Sequence, residues 1–95
     1  TQSRKQVKQF ISKYMDFVDD TEEFNGSKGG IWVSAENGDT FKGQEIYRYY
    51  NDSEEFPLGH PDYELGTLKS WEAELNKRGW FTQFYDAGTV VIYEI

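Results

Sequence analysis

Apolar residues recur at a helical interval near the start of the chain. Val7, Phe10, Ile11, Tyr14, Phe17 and Val18 follow the i, i+3, i+4, i+7 spacing of one helix face, which predicts a helix over 4–18. Ser3 and Gln6 stand three residues apart at its start, the spacing of a capping box, in which side chains and backbone satisfy each other's orphan amides. Residues 19–30, Asp-Asp-Thr-Glu-Glu-Phe-Asn-Gly-Ser-Lys-Gly-Gly, then read as a polar, glycine-rich loop. Ile31–Ala35 reads as a strand. Glu36-Asn37-Gly38-Asp39 has Asn-Gly at its centre, the strongest short hairpin signal, and makes Thr40-Phe41-Lys42 the expected return strand. After Gly43, the spacing of Ile46, Tyr47, Tyr49 and Tyr50 fits a short helix, while tyrosine also suits a longer return strand.

Residues 51–66 read as an acidic loop in which Pro57 and Pro61 limit regular structure. The next helix is expected at least from Leu68 to Arg78. Thr67 is its expected cap, Leu68, Trp71 and Leu75 its buried stripe, and Gly79 its left-handed stop. Glu74 and Arg78 form an i, i+4 pair in the favourable order. Trp80–Tyr85 reads as a strand, Asp86-Ala87-Gly88 as a turn and Val90–Ile95 as a terminal strand. The order is helix, hairpin, short helix, helix, hairpin. It predicts a single α+β domain over residues 1–95, with an antiparallel sheet of about four strands, made of two hairpins, and two main helices on one face. Phe10, Phe17, Trp32, Phe41, Trp71 and Phe84 are the aromatic residues expected in its core.

Composition narrows the class. Aromatic residues make up 18% of the 95, which argues for a folded chain, because disordered chains are poor in aromatics. There is no cysteine, so disulfides and thiolate-bound metals are excluded. No apolar run approaches the ~18 residues of a membrane span, and no apolar segment of signal-peptide type follows the polar start. The expectation is a cytoplasmic protein that does not engage a membrane.

The net charge of −7 is unevenly placed. Residues 1–15 hold Arg4, Lys5, Lys8 and Lys13 and no acid, while residues 16–64 hold thirteen acids against Lys28, Lys42 and Arg48. That balance disfavours direct contact with nucleic acid and favours a protein partner with a basic surface. On the predicted helix, Arg4, Lys5 and Lys8 sit at the start and Asp16, Asp19 and Asp20 at the end. The helix dipole prefers the reverse, so these acids point to a partner rather than to helix stability.

Familiar catalytic devices are missing. His60 is the one histidine, and neither a cysteine nor a Gly-x-Ser-x-Gly elbow offers it a nucleophile. Asp52, Glu54, Glu55, His60, Asp62 and Glu64 supply ligand-type atoms without the spacing of a calcium loop. Gly26-Ser27-Lys28-Gly29-Gly30 precedes a strand and lacks the Lys-Ser/Thr ending of a phosphate loop. No catalytic residue, metal or cofactor is expected, and the chain is read as no enzyme. The remaining signal is acidic and aromatic. Asp16, Asp19, Asp20, Glu22 and Glu23 are the candidate protein-binding group, joined to Asp52, Glu54 and Glu55, with Tyr47, Tyr49 and Tyr50 as apolar anchors. The expected function is that of a small non-enzymatic inhibitor that covers a basic, nucleic-acid-binding surface by charge mimicry. The alternative is an assembly module acting through self-association or edge-strand pairing.

Overall fold

The computed structural model of the chain describes residues 1–48 and 60–95. Helix α1 (Arg4–Ile11) starts on the expected capping box: the Ser3 hydroxyl accepts from the Gln6 amide, and the Gln6 side chain accepts from the Ser3 amide. Val7 and Ile11 form its buried stripe. The helix stops at Ile11, well short of residue 18. Successive tight turns bring Tyr14 and Met15 back onto the Ile11 carbonyl and bury Met15. This reversal releases the chain into strand β1 (Val18–Asp20), followed by a 3-10 turn at Thr21–Glu23. Two segments expected as helix end and loop therefore contain a strand.

Strand β2 (Ile31–Ser34) forms where the apolar run predicts it. Its partner is not the segment after Asn37-Gly38. Gly38 does turn the chain with positive φ, but β3 (Thr40–Phe41) pairs with β4 (Gln44–Glu45) in a separate ribbon. Lys42 and Gly43 make that turn at φ 52° and 83°, the double positive that a type I′ hairpin requires. The same device recurs between β5 (Tyr63–Glu64) and β6 (Thr67–Leu68), where Leu65 and Gly66 have φ 51° and 82°. Residues 46–48 continue as extended chain alongside β6: Tyr47 bridges Thr67, and Leu68 N–H donates to the Ile46 carbonyl. The helical alternative for Ile46–Arg48 is thereby corrected.

Helix α2 (Lys69–Lys77) buries Trp71 and Leu75. Thr67 is not its cap. It lies in β6, Leu68 occupies the cap position without a side-chain bond, and the Asp62 carbonyl accepts the Lys69 N–H. Gly79, at φ 88°, ends the helix and leads into β7 (Trp80–Asp86) and β8 (Thr89–Glu94).

The main sheet has the order β1-β2-β8-β7, antiparallel throughout. The fold is thus mixed α+β, with a four-stranded antiparallel sheet and two small ribbons. Ile31, Val33, Val90 and Ile92 share one core with Val7, Ile11, Trp71 and Leu75. Phe41 is buried with them, and Phe10 and Phe84 pack against the cluster. Phe17 and Trp32 do not join it. Trp32 lies between Ile31 and Val33 in β2, so strand alternation sends it to the opposite face. Among the described residues, no helix is long and apolar enough to cross a membrane.

Candidate protein-binding surface

The cations of α1 are folded onto the first acidic segment. Lys8 Nζ lies 2.8 Å from Asp20 Oδ1, Arg4 Nε lies 3.6 Å from the same oxygen, and Arg4 Nη1 lies 2.7 Å from Glu22 Oε1. The other Glu22 oxygen accepts the Gly29 N–H at 3.1 Å. That backbone bond, with the Arg4 bond next, lowers the Glu22 carboxyl to about 2. The Thr21 hydroxyl donates to the Ser27 carbonyl and accepts from the Gly30 N–H, which ties the 21–30 connection into a defined loop. The expectation that Asp16, Asp19 and Asp20 oppose the dipole at a helix end is overturned, because α1 ends at Ile11. Asp20 and Glu22 answer cations within the chain.

The other expected residues divide. Asp16 is exposed, and its backbone bonds the Asp39 carboxylate, whose pKa is raised by burial first and by the Asp16 charge second. Asp19 is half-buried in β1, directly opposite Trp32, and Glu23 is exposed on the 3-10 turn. Among the described residues, no cation forms an ion pair with Asp16, Asp19 or Glu23. Tyr47, expected as a surface anchor, is a core residue only 5% exposed. Its hydroxyl accepts the Trp71 Nε1–H at 3.0 Å and shares a 3.3 Å bond with Thr82, and burial pushes its ionisation far up. Tyr49, Tyr50, Asp52, Glu54 and Glu55 lie outside the described residues. His60 Nδ1 accepts the Asp62 N–H at 3.1 Å, and the Asp62 carboxylate accepts from Gln44 at 3.0 Å. No cluster of metal-holding side chains occurs among the described residues.

The face of the sheet opposite the core carries a cluster of aromatic rings. Trp32 stands at its centre, with Phe17 and Phe24 each 4.7 Å away between ring centroids. Tyr85 meets Phe24 at 4.9 Å, nearly perpendicular. Phe17 is 38% and Tyr85 57% exposed, whereas Val91, opposite Trp32 in β8, is buried. The register of β7 shifts between Phe84 and Asp86, a bulge that sets the local course of the strand at Tyr85. No protein-family model, curated protein or solved structure matches this chain. The functional reading therefore rests on the surface. Strands β1, β2, β7 and β8 contain Asp19, Asp20, Asp86 and Glu94 but no lysine or arginine. Of these, Asp19 shares the outer face with Trp32, whereas Asp20, opposite Ile31, turns to the cations of α1 and Glu94 stands opposite the buried Trp80.

The signal for this face was present in the alternation of β2, where Trp32 is out of phase with Ile31 and Val33. Phe17 and Phe24 could not be assigned to it from sequence. Both lie outside strands, and their positions follow from β1, which the helical spacing of Tyr14, Phe17 and Val18 concealed.

Proposed function

We propose that this chain is a small acidic, non-enzymatic protein-binding domain that acts as an inhibitor in the cytoplasm by covering the basic, nucleic-acid-binding surface of a target protein. One observation carries the reading. Folding pairs Arg4 and Lys8 with Asp20 and Glu22, and leaves Asp16, Asp19 and Glu23 without an ion-pair partner among the described residues. Carboxylates without an ion-pair partner, near exposed rings, supply both the field that steers a basic partner and the apolar contact that holds it.

The assembly-module alternative has less support at the long edge strand. On β7, the Thr82 N–H donates to Glu72 at 3.0 Å and the Trp80 carbonyl accepts from Asn76 at 2.9 Å. Side chains of α2 thus occupy backbone groups that a pairing strand would need.

The test is affinity capture from the native host, identification by mass spectrometry, and a binding titration against salt. Asp19→Lys with Glu23→Lys should weaken binding and flatten its salt dependence, with folding checked by circular dichroism. Reversing Asp20 or Glu22 would be a poorer probe, since each holds α1. Unchanged affinity and salt slope in the Asp19/Glu23 variant would defeat charge mimicry and leave the assembly reading in front.

A further inference from the structure

We infer that the ring cluster on the outer sheet face is a receptor for arginine side chains of the partner, an inference that rests on the protein-binding reading above and names the chemistry it recognises. The molecule contains an internal example of the required geometry. The Arg78 guanidinium carbon lies 3.7 Å from the centre of the Phe10 ring, while its Nη1 donates to Glu74 Oε1 at 3.0 Å. Ring, guanidinium and carboxylate are all present there. On the outer face, Trp32 and Asp19 sit directly opposite each other on neighbouring strands, so ring and carboxylate are again adjacent. Asp19 Oδ1 accepts the Asp20 N–H at 2.7 Å, which leaves its other oxygen for a donor; no cation forms an ion pair with Asp19 among the described residues, and the four strands supply none. The partner would bring the missing guanidinium.

Arginine is favoured over lysine because its planar, weakly hydrated head stacks on a ring face while donating in plane to a carboxylate. The rings also stand at steep angles, 73° for Phe17 against Trp32 and 86° for Phe24 against Tyr85. Those pairs touch edge to face at centroid distances of 4.7 and 4.9 Å, so the ring surface open to a guanidinium is the outward part of Phe17 and Tyr85. A second copy of the chain is disfavoured as occupant, since its own outer face would bring like charge against like.

The experiment uses the full chain with two probes of equal charge, nona-arginine and nona-lysine peptides, titrated by calorimetry and by tryptophan fluorescence. Trp71 and Trp80 are 0% and 2% exposed, so a fluorescence response reports chiefly on Trp32. Nona-arginine should bind about tenfold tighter than nona-lysine and perturb the emission. Tyr85→Ala and Phe24→Leu should each bring the arginine probe down toward the lysine value and leave the lysine probe unchanged. Equal affinities, insensitive to both variants, would overturn the stacking inference while leaving charge-based binding intact. Binding of neither peptide would overturn the protein-binding reading and this inference with it. A dimer in sedimentation that Tyr85→Ala dissolves would also overturn the inference, by assigning the face to self-association.

Discussion

Lys8 of α1 meets Asp20 of β1 with Nζ 2.8 Å from Oδ1, and this contact joins the most basic and the most acidic stretches of the chain. Charges that look segregated along the sequence are neighbours in the fold. Arg4 reaches over the same carboxylate to Glu22, so two cations and two acids clamp α1 to the β1 edge of the sheet. Asp16, Asp19 and Glu23 are left without an ion-pair partner among the described residues.

The clamp gives a first prediction. Lys8 and Asp20 are each about one third exposed, so Lys8→Ala should lower stability by less than ~1 kcal/mol in urea unfolding. Asp20→Lys should lower it more, because it gathers three cations where two were neutralised. A larger loss from Lys8→Ala than from Asp20→Lys would show that packing of the lysine stem, not charge, dominates.

Glu22 gives a pH prediction. Its carboxyl is held at about 2 in the fold, against an ordinary 4.5, by the Gly29 amide and then Arg4. The unfolded chain therefore takes up this proton first as pH falls, and stability rises with pH across that interval. The contribution is complete above the ordinary value and is lost on acidification from there toward the folded value. Urea midpoints of wild type and Glu22→Gln should differ near neutrality and converge as the pH is lowered through this window. A difference that grows on acidification would reverse the sign and refute the assignment.

Gly30 is required by close approach rather than by its backbone angle. A β-carbon there would lie 2.5 Å from Tyr93 Cε1 and 2.9 Å from Thr21 Cγ2. Gly30→Ala should cost about 1–3 kcal/mol, as small-to-large changes in packed sites do. Tyr93→Ala should relieve part of that loss, and a double-mutant cycle measures the coupling. Additive effects would mean that the ring moves aside freely.

Legibility in the sequence followed the range of the interactions. The capping box of α1, the Trp71–Leu75 stripe, the Gly79 stop and the β7–β8 hairpin depend on residues a few positions apart, and all could be read. Strand β1 could not, because two of its three residues are aspartates, which are poor in strands, and it is held by pairing with β2 across a ten-residue connection. The Asn37-Gly38 signal gave a real turn and a wrong partner, since β2 pairs instead with β1 and β8. The Lys42-Gly43 turn was hidden by a lysine in a conformation that more often belongs to glycine or asparagine. For the proposed binding surface, the acidic character was legible, but the pairing of Asp20 and Glu22 and the burial of Tyr47 came only with long-range structure.

The Trp71–Tyr47 pair gives a core prediction. Trp71 is fully buried, with its ring against Phe10, Tyr14 and Phe41 and its indole N–H on the Tyr47 hydroxyl. Trp71→Ala should cost ~3–5 kcal/mol, close to complete unfolding for a small domain. Tyr47→Phe keeps the ring and strands the indole donor, for about 1–3 kcal/mol. Denaturant unfolding checks both. A Tyr47→Phe effect near zero would mean that the indole has another acceptor.

The last prediction concerns nucleic acid. The only basic stretch is the start of the chain, and its cations are not free to act together: Arg4 and Lys8 already lie on Asp20 and Glu22. Releasing them to a phosphate backbone would leave those two carboxylates facing the same phosphates. Lys5 and Lys13 remain, and two contacts against a net charge of −7 provide little counterion release. No gel shift of duplex DNA or of RNA is expected at micromolar protein and physiological salt. Asp20→Asn with Glu22→Gln frees Arg4 and Lys8, removes two acids and supplies the decisive control. If that variant still fails to bind at low salt, the whole field of the chain prevents contact. If wild type itself shifts the probe at physiological salt, the picture of an acidic protein directed at a basic partner is wrong.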